Sequence, residues 1–459
     1  MDLFLSKEQT ATNLTSGKLW VTIWHLSWPM FLIMIFNFLV GFTDVYVAGL
    51  INPEVQAAIG FITQLYFLLI IVANAISIGT VALISRAIGS ENIPRALDNA
   101  KQSLIFGVLI AIGLTITVLT FYREIISTAG FPIKIREIAE TFLRVFAFAL
   151  GPNYIVIISN AIFRAAGEVK KPLLTMFVVS LSNIIGDFVL VFGIIPFPKM
   201  GYPGIALSTA ISASIGMGIN LVLLSLSRWS TLYRRPWSIS ASTFKKIASL
   251  GWPAALLQIA WNAGSIVLYN ILGRLKDESI MALASITNGL RIEAIIFLPA
   301  FALNMAASVL VGQNLGAGNA NRAAKVGWEI ASIGVVLLSL IAIVIFIWAE
   351  YFASFLAKEA AVLEETTRYL RINMVSEPFM ALALILGGGL QGAGDTKGTM
   401  WVIIISMWFI RLPLAFFLAL VLDYGAIGVW VAMVTSMVFQ GLLMARHFHR
   451  GRWKELEVE

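Results

Sequence analysis

Cysteine is absent from the 459 residues and histidine occurs only three times, which excludes disulfides, thiolate metal sites and a metal centre or membrane enzyme built on clustered histidines. His25 stands at the entrance of a predicted helix, and His447 and His449 lie in the C-terminal tail. Charge is also scarce. Asp, Glu, Lys and Arg make up 12% of the chain against 59% hydrophobic residues, and the mean hydropathy is strongly positive, a balance that water-soluble globular proteins rarely show. No Gly-Lys-Ser/Thr follows the glycine-rich stretch GGGLQGAGD (387–395) and no strand precedes it, so a phosphate-binding loop is excluded and close helix packing through small residues is expected there.

What the chain has in abundance is long apolar runs. Twelve are long enough, at about 1.5 Å per residue, to cross a hydrocarbon core of about 30 Å. Helices are expected near 21–46, 56–85, 99–121, 139–163, 173–195, 204–227, 249–272, 279–311, 326–349, 365–390, 399–421 and 425–445. The first run, starting near Trp20, is too long for a cleavable signal and lacks a small-residue cleavage pattern, so it is expected to remain as a helix. Prolines 29, 152, 253, 299 and 413 lie within the runs and mark expected kinks.

The net charge of +7 reads as membrane orientation rather than nucleic-acid binding, because the basic residues fall in loops. An even number of spans puts both termini on one side. The loops and tails of that side hold twenty Lys and Arg, from Lys7 to Lys454 and including Arg234 and Arg235, and the opposite loops hold nine. The positive-inside rule therefore predicts cytoplasmic termini.

A repeat runs through the chain. RAIGSENIPRA (86–96) returns as QNLGAGNANRA (313–323), and FRAAGEVKKP (163–172) as LQGAGDTKGT (390–399), both at an offset of 227. LSWP (26–29) answers LGWP (250–253) at 224. The expected fold is thus all-α and membrane-integral, with two six-helix bundles related by a pseudo-two-fold axis along the membrane normal. The expected domains are 1–227, a basic cytoplasmic connector at 228–248, and 249–459 with a basic tail. Paired bundles of this kind suit alternating access, in which a cavity opens to one side at a time.

A carboxylate inside a bilayer costs roughly 2.5–3.5 kcal/mol on insertion scales and defaults to a functional reading. Asp187 lies fifteen residues past Pro172, about 22 Å along a straight helix, and Asn183 four residues earlier shares its face. Asp44 lies fifteen residues past Pro29, at a similar depth, so the two carboxylates could share one site. At the level of the residues two ligands fit: an exchangeable proton, or a hard cation such as sodium surrounded by Asp44, Asn183, Asp187 and Thr209. A structural role, with Asp44 near the outer interface and Asp187 bonding neighbouring helices, is the alternative. In the second half the repeat places Leu268 and Leu414 at these positions. Arg291 and Glu293 lie about 200° apart around a helix and cannot face one partner. A cross-helix ion pair of Glu293 with Arg411, chiefly structural, is expected instead.

The chain resembles the multidrug and toxic compound extrusion (MATE) transporters over essentially its whole length. The resemblance rests on the twelve spans in two similar halves, on VGQNLGAGNANRA (311–323), on LQGAGDTK (390–397), and on the pattern from Pro29 through TDVYVAGL (43–50). It implies a V-shaped pair of bundles in a prokaryotic cytoplasmic membrane, working as a monomer, with no cofactor beyond a coupling ion. The implied activity is export of amphipathic, often cationic, organic compounds in exchange for inward sodium or protons; the implied partners are those small molecules and membrane lipids, not nucleic acid. It also implies a cation site at Asp44, Asn183, Asp187 and Thr209, with Asn160 as a neighbouring polar member and Pro29 as the kink beside the site. The pattern is similar to the branch of DNA-damage-inducible MATE proteins. Another branch carries acidic ligands in the seventh and tenth helices, where this chain has Trp261 and about Met380. A flippase for lipid-linked saccharides shares the two-bundle plan; it would favour a cavity lined by several Arg, and the first half offers few.

Overall fold

The computed structural model of the protein describes residues 14–128, 132–234, 238–276 and 278–456. Lys7 and Arg235 of the charge count, and residues 1–13 of the first expected domain, lie outside these residues. Twelve helices among the described residues are long and apolar enough to cross a membrane. They are α1 (Leu19–Ile51), α2 (Pro53–Gly89), α3 (Ile93–Ser127), α4 (Ile133–Ala165), α5 (Lys170–Phe192), α6 (Tyr202–Ser225), α7 (Ala241–Gly273), α8 (Ser279–Gly316), α9 (Ala320–Ile347), α10 (Ala360–Ala393), α11 (Thr396–Val421) and α12 (Gly425–Arg450). No strand occurs among the described residues.

Most helices overrun the expected apolar runs. Hydropathy marks the hydrocarbon, whereas a helix continues until a cap stops it. Asn52 caps α2 by accepting from Val55 N at 2.7 Å, and Asn92 caps α3 by accepting from Arg95 N at 3.1 Å. Gly193, at φ 73°, ends α5 shortly before the expected 195. Pro29, Pro152, Pro253 and Pro299 all lie inside continuous helices. Around Pro413 the backbone of α11 widens into π-helical turns at Ile405–Arg411 and Phe417–Val421, a feature no hydropathy pattern announces.

Contacts divide the chain into two units. One comprises Leu32–Gly251; the other comprises Leu14–Phe31 together with Trp252–Glu459. The chain changes unit within α1 and again within α7, and each change falls within two or three residues of a repeat-related proline, Pro29 and Pro253. The first unit has its main core where α1, α2, α3, α4 and α6 meet, around Val47, Ile59, Ile62, Phe142, Leu143 and Ile205. Its outward faces are apolar too: Phe38, Phe42 and Tyr46 stack along α1 at 6.1 and 6.3 Å while all three stay exposed. Such surfaces suit lipid and would be unfavourable in water.

The repeat extends to the backbone. Glu91 and Gly318 both adopt positive φ, as do Gly167 and Gly394, and both pairs stand 227 residues apart. The acidic residue after the second turn does the same mechanical job in each half. Glu168 accepts from Lys171 at 2.5 Å and from Arg228, just beyond α6, at 2.6 Å. Asp395 caps α11 at Gly398 N and meets His447, near the end of α12, at 2.6 Å.

The glycine-rich stretch 387–395 packs helix against helix, as its composition suggests. A Cβ on Gly392 would collide with the carbonyl of Ser308 on α8, lying 2.6 Å from its carbon. Backbone cannot step aside as a side-chain tip can, so Gly392→Ala is expected to destabilise the second unit by about 1–3 kcal/mol, the usual range for overpacking. Thermal unfolding of the purified protein checks this against Gly387→Ala, whose nearest contact is a threonine methyl at 3.3 Å. Equal midpoints for the two variants would contradict the packing argument.

Candidate functional site

Four side chains singled out in the sequence meet inside the first unit. Asp44 comes from α1, Asn183 and Asp187 from consecutive turns of α5, and Thr209 from α6. Asp187 and Asn183 are fully enclosed and Asp44 is 8% exposed. The meeting follows from local structure. Asn183 and Asp187 are four apart on one helix face, and α5 is held on α6 where Ser208 Oγ donates to the Asn183 carbonyl at 2.8 Å.

Thr209 is the hub of the cluster. Its Oγ1 accepts from Asn183 Nδ2 at 3.3 Å, and its single proton can go to Asp44 Oδ2 at 3.4 Å or back to the Ile205 carbonyl at 3.2 Å. The Asp44 and Asp187 carboxyls lie close enough to interact directly, with Ser208 beside Asp187. Four buried acceptor atoms receive no hydrogen bond from the protein: Asp44 Oδ1, Asn183 Oδ1 and both oxygens of Asp187. A buried acceptor without a donor costs about 1–3 kcal/mol. Two adjoining carboxylates in low dielectric add mutual repulsion. A proton or a small hard cation relieves both penalties, and oxygen is the donor type such a cation takes. No group of three or more His, Cys, Asp or Glu able to hold a metal occurs among the described residues, so any cation here would be held by two carboxylates with an amide and a hydroxyl.

Asn160 is placed one step away, in a second buried polar cluster that the sequence reading did not assemble. Asn220 Nδ2 lies 3.0 Å from Asn160 Oδ1 and 2.7 Å from Ser159 Oγ, and Thr175 donates to Asn220 Oδ1 at 2.6 Å. Thr175 is eight residues, about 12 Å along α5, before Asn183. The signal was present: Asn220 lies three turns after Thr209, and Thr175 two turns before Asn183, each on its helix's polar face.

In the second unit the expected ion pair of Glu293 with Arg411 is not a contact pair. Arg411 Nε donates to Ser436 at 2.8 Å and its guanidinium lies 5.1 Å from the centre of the Trp261 ring, while it acts on Glu293 through space. Arg291 is exposed, as its position two residues from buried Glu293 requires. Two further buried residues beside Glu293, Tyr369 and Glu377, were not singled out in the sequence. An acidic residue inside the tenth run was the available signal.

The model of the family described as MatE matches residues 29–189 and again 253–417, two stretches whose starts are 224 residues apart. A protein of Thermotoga maritima described as "Probable multidrug resistance protein NorM" is 26% identical over 430 residues, covering 92% of this chain and 91% of that one. A solved structure described as the outward-facing conformation of a multidrug resistance MATE family transporter of the MOP superfamily has a TM-score of 0.87 at 22% identity, covering 97% and 98% of the two chains. Another, described as MATE in the bent conformation, has a TM-score of 0.87 at 20% identity with 97% of each chain covered.

Proposed function

Because the chain belongs to the MatE family of multidrug and toxic compound extrusion transporters, we propose that it exports amphipathic, often cationic, organic compounds in exchange for entering protons or sodium ions. The observation that carries this reading is the meeting of Asp44 and Asp187 in a buried cluster in which Asp44 Oδ1 and both oxygens of Asp187 lack protein donors. The description of the Thermotoga maritima relative as a probable multidrug resistance protein supports drug-like organic molecules as cargo.

In the proposed cycle the outward-open protein takes up the coupling ion between Asp44 and Asp187. The ion cancels the repulsion of the carboxyls, and Thr209 turns its proton back to Ile205 when Asp44 no longer needs a donor. The pull on Asp44 is passed along α1 towards Pro29, where the missing backbone donor weakens the helix and the chain changes unit. The rearrangement weakens substrate binding, substrate leaves outward, and the ion is released inward. Linkage requires that substrate weaken ion binding by the same factor. The twenty-to-nine charge asymmetry supports cytoplasmic termini, and the bacterial source of the Thermotoga maritima relative supports a prokaryotic cytoplasmic membrane.

The test is uptake of a fluorescent organic cation into liposomes carrying the protein, with a proton or a sodium gradient imposed separately. One gradient, and not the other, is expected to drive accumulation well above protein-free liposomes. Accumulation that ignores both gradients rejects antiport and turns attention to lipid flipping.

A further inference from the structure

Between α5 and α6 the chain turns through residues 193–201, and seven consecutive side chains of that turn, from Ile194 to Met200, are exposed. The run reads Ile-Ile-Pro-Phe-Pro-Lys-Met, with Lys199 its only polar member. Ile195 is 93% exposed, more than any other large apolar side chain among the described residues, and Phe197 is 50% exposed. The exposure is built into the backbone. Gly193 N and Ile194 N donate to the Val189 carbonyl, both at 3.1 Å, while Met200 N returns to the Leu190 carbonyl at 2.9 Å and Gly201 N to that of Val191 at 3.2 Å. A Cβ on Gly193 would lie 2.6 Å from Lys199 N, so the two arms of the loop close on each other at their base. Pro196 and Pro198 fix φ at two positions of the tip. A loop held in this way cannot fold its apolar side chains back under the helices.

The loop is an addition to one half only. Nine residues separate Phe192 from Tyr202, whereas the repeat counterparts α11 and α12 are joined by three, Leu422, Asp423 and Tyr424. None of the nine is acidic. The loop also continues an apolar surface. Leu181, Ile185 and Phe192 are exposed on α5 with Phe188 half-buried between them, and the rings of Phe188 and Phe192 stack at 6.1 Å. Their spacing of four, three and four makes one stripe, on the face of α5 opposite Asn183 and Asp187. With those two residues enclosed inside the unit, the stripe is on its outside and leads directly to Ile194 and Ile195.

We propose that residues 193–201 form a foot set into the outer leaflet of the membrane, with Ile194, Ile195 and Phe197 among the acyl chains just below the headgroups and Lys199 at the level of the lipid phosphates. Apolar side chains held rigidly in water are unfavourable, and the bilayer is the apolar phase that already borders the stripe from which the loop springs. A lysine at the rim keeps its ammonium among phosphates while its stem lies along apolar surface, and the lack of an acidic residue leaves nothing to be repelled there. A second copy of this chain is a poorer occupant, because four apolar side chains at a loop tip fall well short of the roughly 1,000 Å² that a stable protein interface buries. The foot fixes the outer end of the α5–α6 hairpin, the element that carries Asn183, Asp187 and Thr209. The inference uses the orientation read from the charge asymmetry to choose the leaflet; it does not use the ion-exchange cycle.

The chain has no cysteine, so Ile195→Cys or Phe197→Cys in the full-length protein offers a single attachment point for a nitroxide. The labelled protein is placed in phosphatidylcholine and phosphatidylglycerol liposomes at high lipid excess, and spin relaxation is measured with oxygen, which concentrates in hydrocarbon, and with a water-soluble nickel chelate present on both sides. Lys276→Cys, in the turn between α7 and α8 on the same side of the membrane, is the aqueous reference. The ratio of oxygen to nickel accessibility at positions 195 and 197 is expected to exceed that at 276 by at least several-fold. A ratio at 195 and 197 equal to that at 276 places the tip in water and overturns the proposal. So does a dipolar coupling between nitroxides at position 195 of two copies that persists on dilution into further lipid, which would make a second chain the occupant.

Discussion

Asp187→Asn is expected to leave the protein folded and to reduce ion-driven uptake to the level of protein-free liposomes. Both halves of this expectation come from the same observation. Neither oxygen of Asp187 accepts a hydrogen bond from the protein, so an isosteric amide breaks no bond within the fold. Removing a carboxylate from the apolar span also removes a burial cost of roughly 2.5–3.5 kcal/mol, so the unfolding midpoint should hold or rise. What disappears is the charge that draws in the coupling ion, and with it the differential affinity that lets an ion gradient shift the conformational equilibrium. Asp44→Asn should behave in the same way. Thr209→Ala, which removes one donor and one ligand but no charge, should slow transport by several-fold only. Gradient-driven uptake by folded Asp187→Asn protein at the wild-type rate would leave the carboxylate with a structural role and the antiport cycle without its ion site.

The largest expected loss of stability outside the ion site belongs to Asn220→Leu. Asn220 is fully enclosed and ties three helices, taking the Thr175 hydroxyl from α5 and giving its amide protons to Ser159 and Asn160 of α4. Polar contacts between membrane helices contribute about 0.6 kcal/mol each on average. Thr175 and Ser159 can return to carbonyls of their own helices, Lys171 at 3.2 Å and Val156 at 3.2 Å, but Asn160 Oδ1 loses its donor and the branched leucine must fit a site shaped for an amide. An orphaned acceptor costs about 1–3 kcal/mol, so a total near 3 kcal/mol is expected. Equilibrium unfolding in mixed detergent or bicelles reads it directly. A change within about 0.5 kcal/mol, the range of ordinary surface substitutions, would mean that Asn220 is not the tie between these helices.

The members of the first cluster were legible because their signals are local. Asp44 and Asp187 are charges in apolar runs, and Asn183 stands at the helical spacing that shares a face. The Asn220 cluster was harder to see, since Ser, Thr and Asn occur throughout apolar helices and often bond only to their own helix, as Thr80 does to Ile76. Glu293 and Arg411 could be seen as buried charges, but not the direction each takes. The widened backbone at Ile405–Arg411 and the competing partners Ser436 and Trp261 turn the guanidinium away from contact with the carboxylate. Tyr369 needed the close approach allowed at Gly289 before its position beside Glu293 had any meaning.

The sequence by itself determined twelve apolar helices, their duplication at a constant offset, the turns that both halves share, and the confinement of Asp44 and Asp187 to the first half. Hydropathy, capping and backbone sterics act over a few residues, so a linear chain displays them. Only the tertiary structure decided that Thr209 would join Asn183 to Asp44, that Asn160 would belong to a different cluster, and that Arg411 would turn to Ser436 and Trp261 rather than touch Glu293. It also decided that the chain would change unit inside α1 and α7. Those outcomes depend on the rotation and separation of helices far apart in sequence, set by glycine contacts, π-helical turns and competing hydrogen-bond partners that no single segment contains.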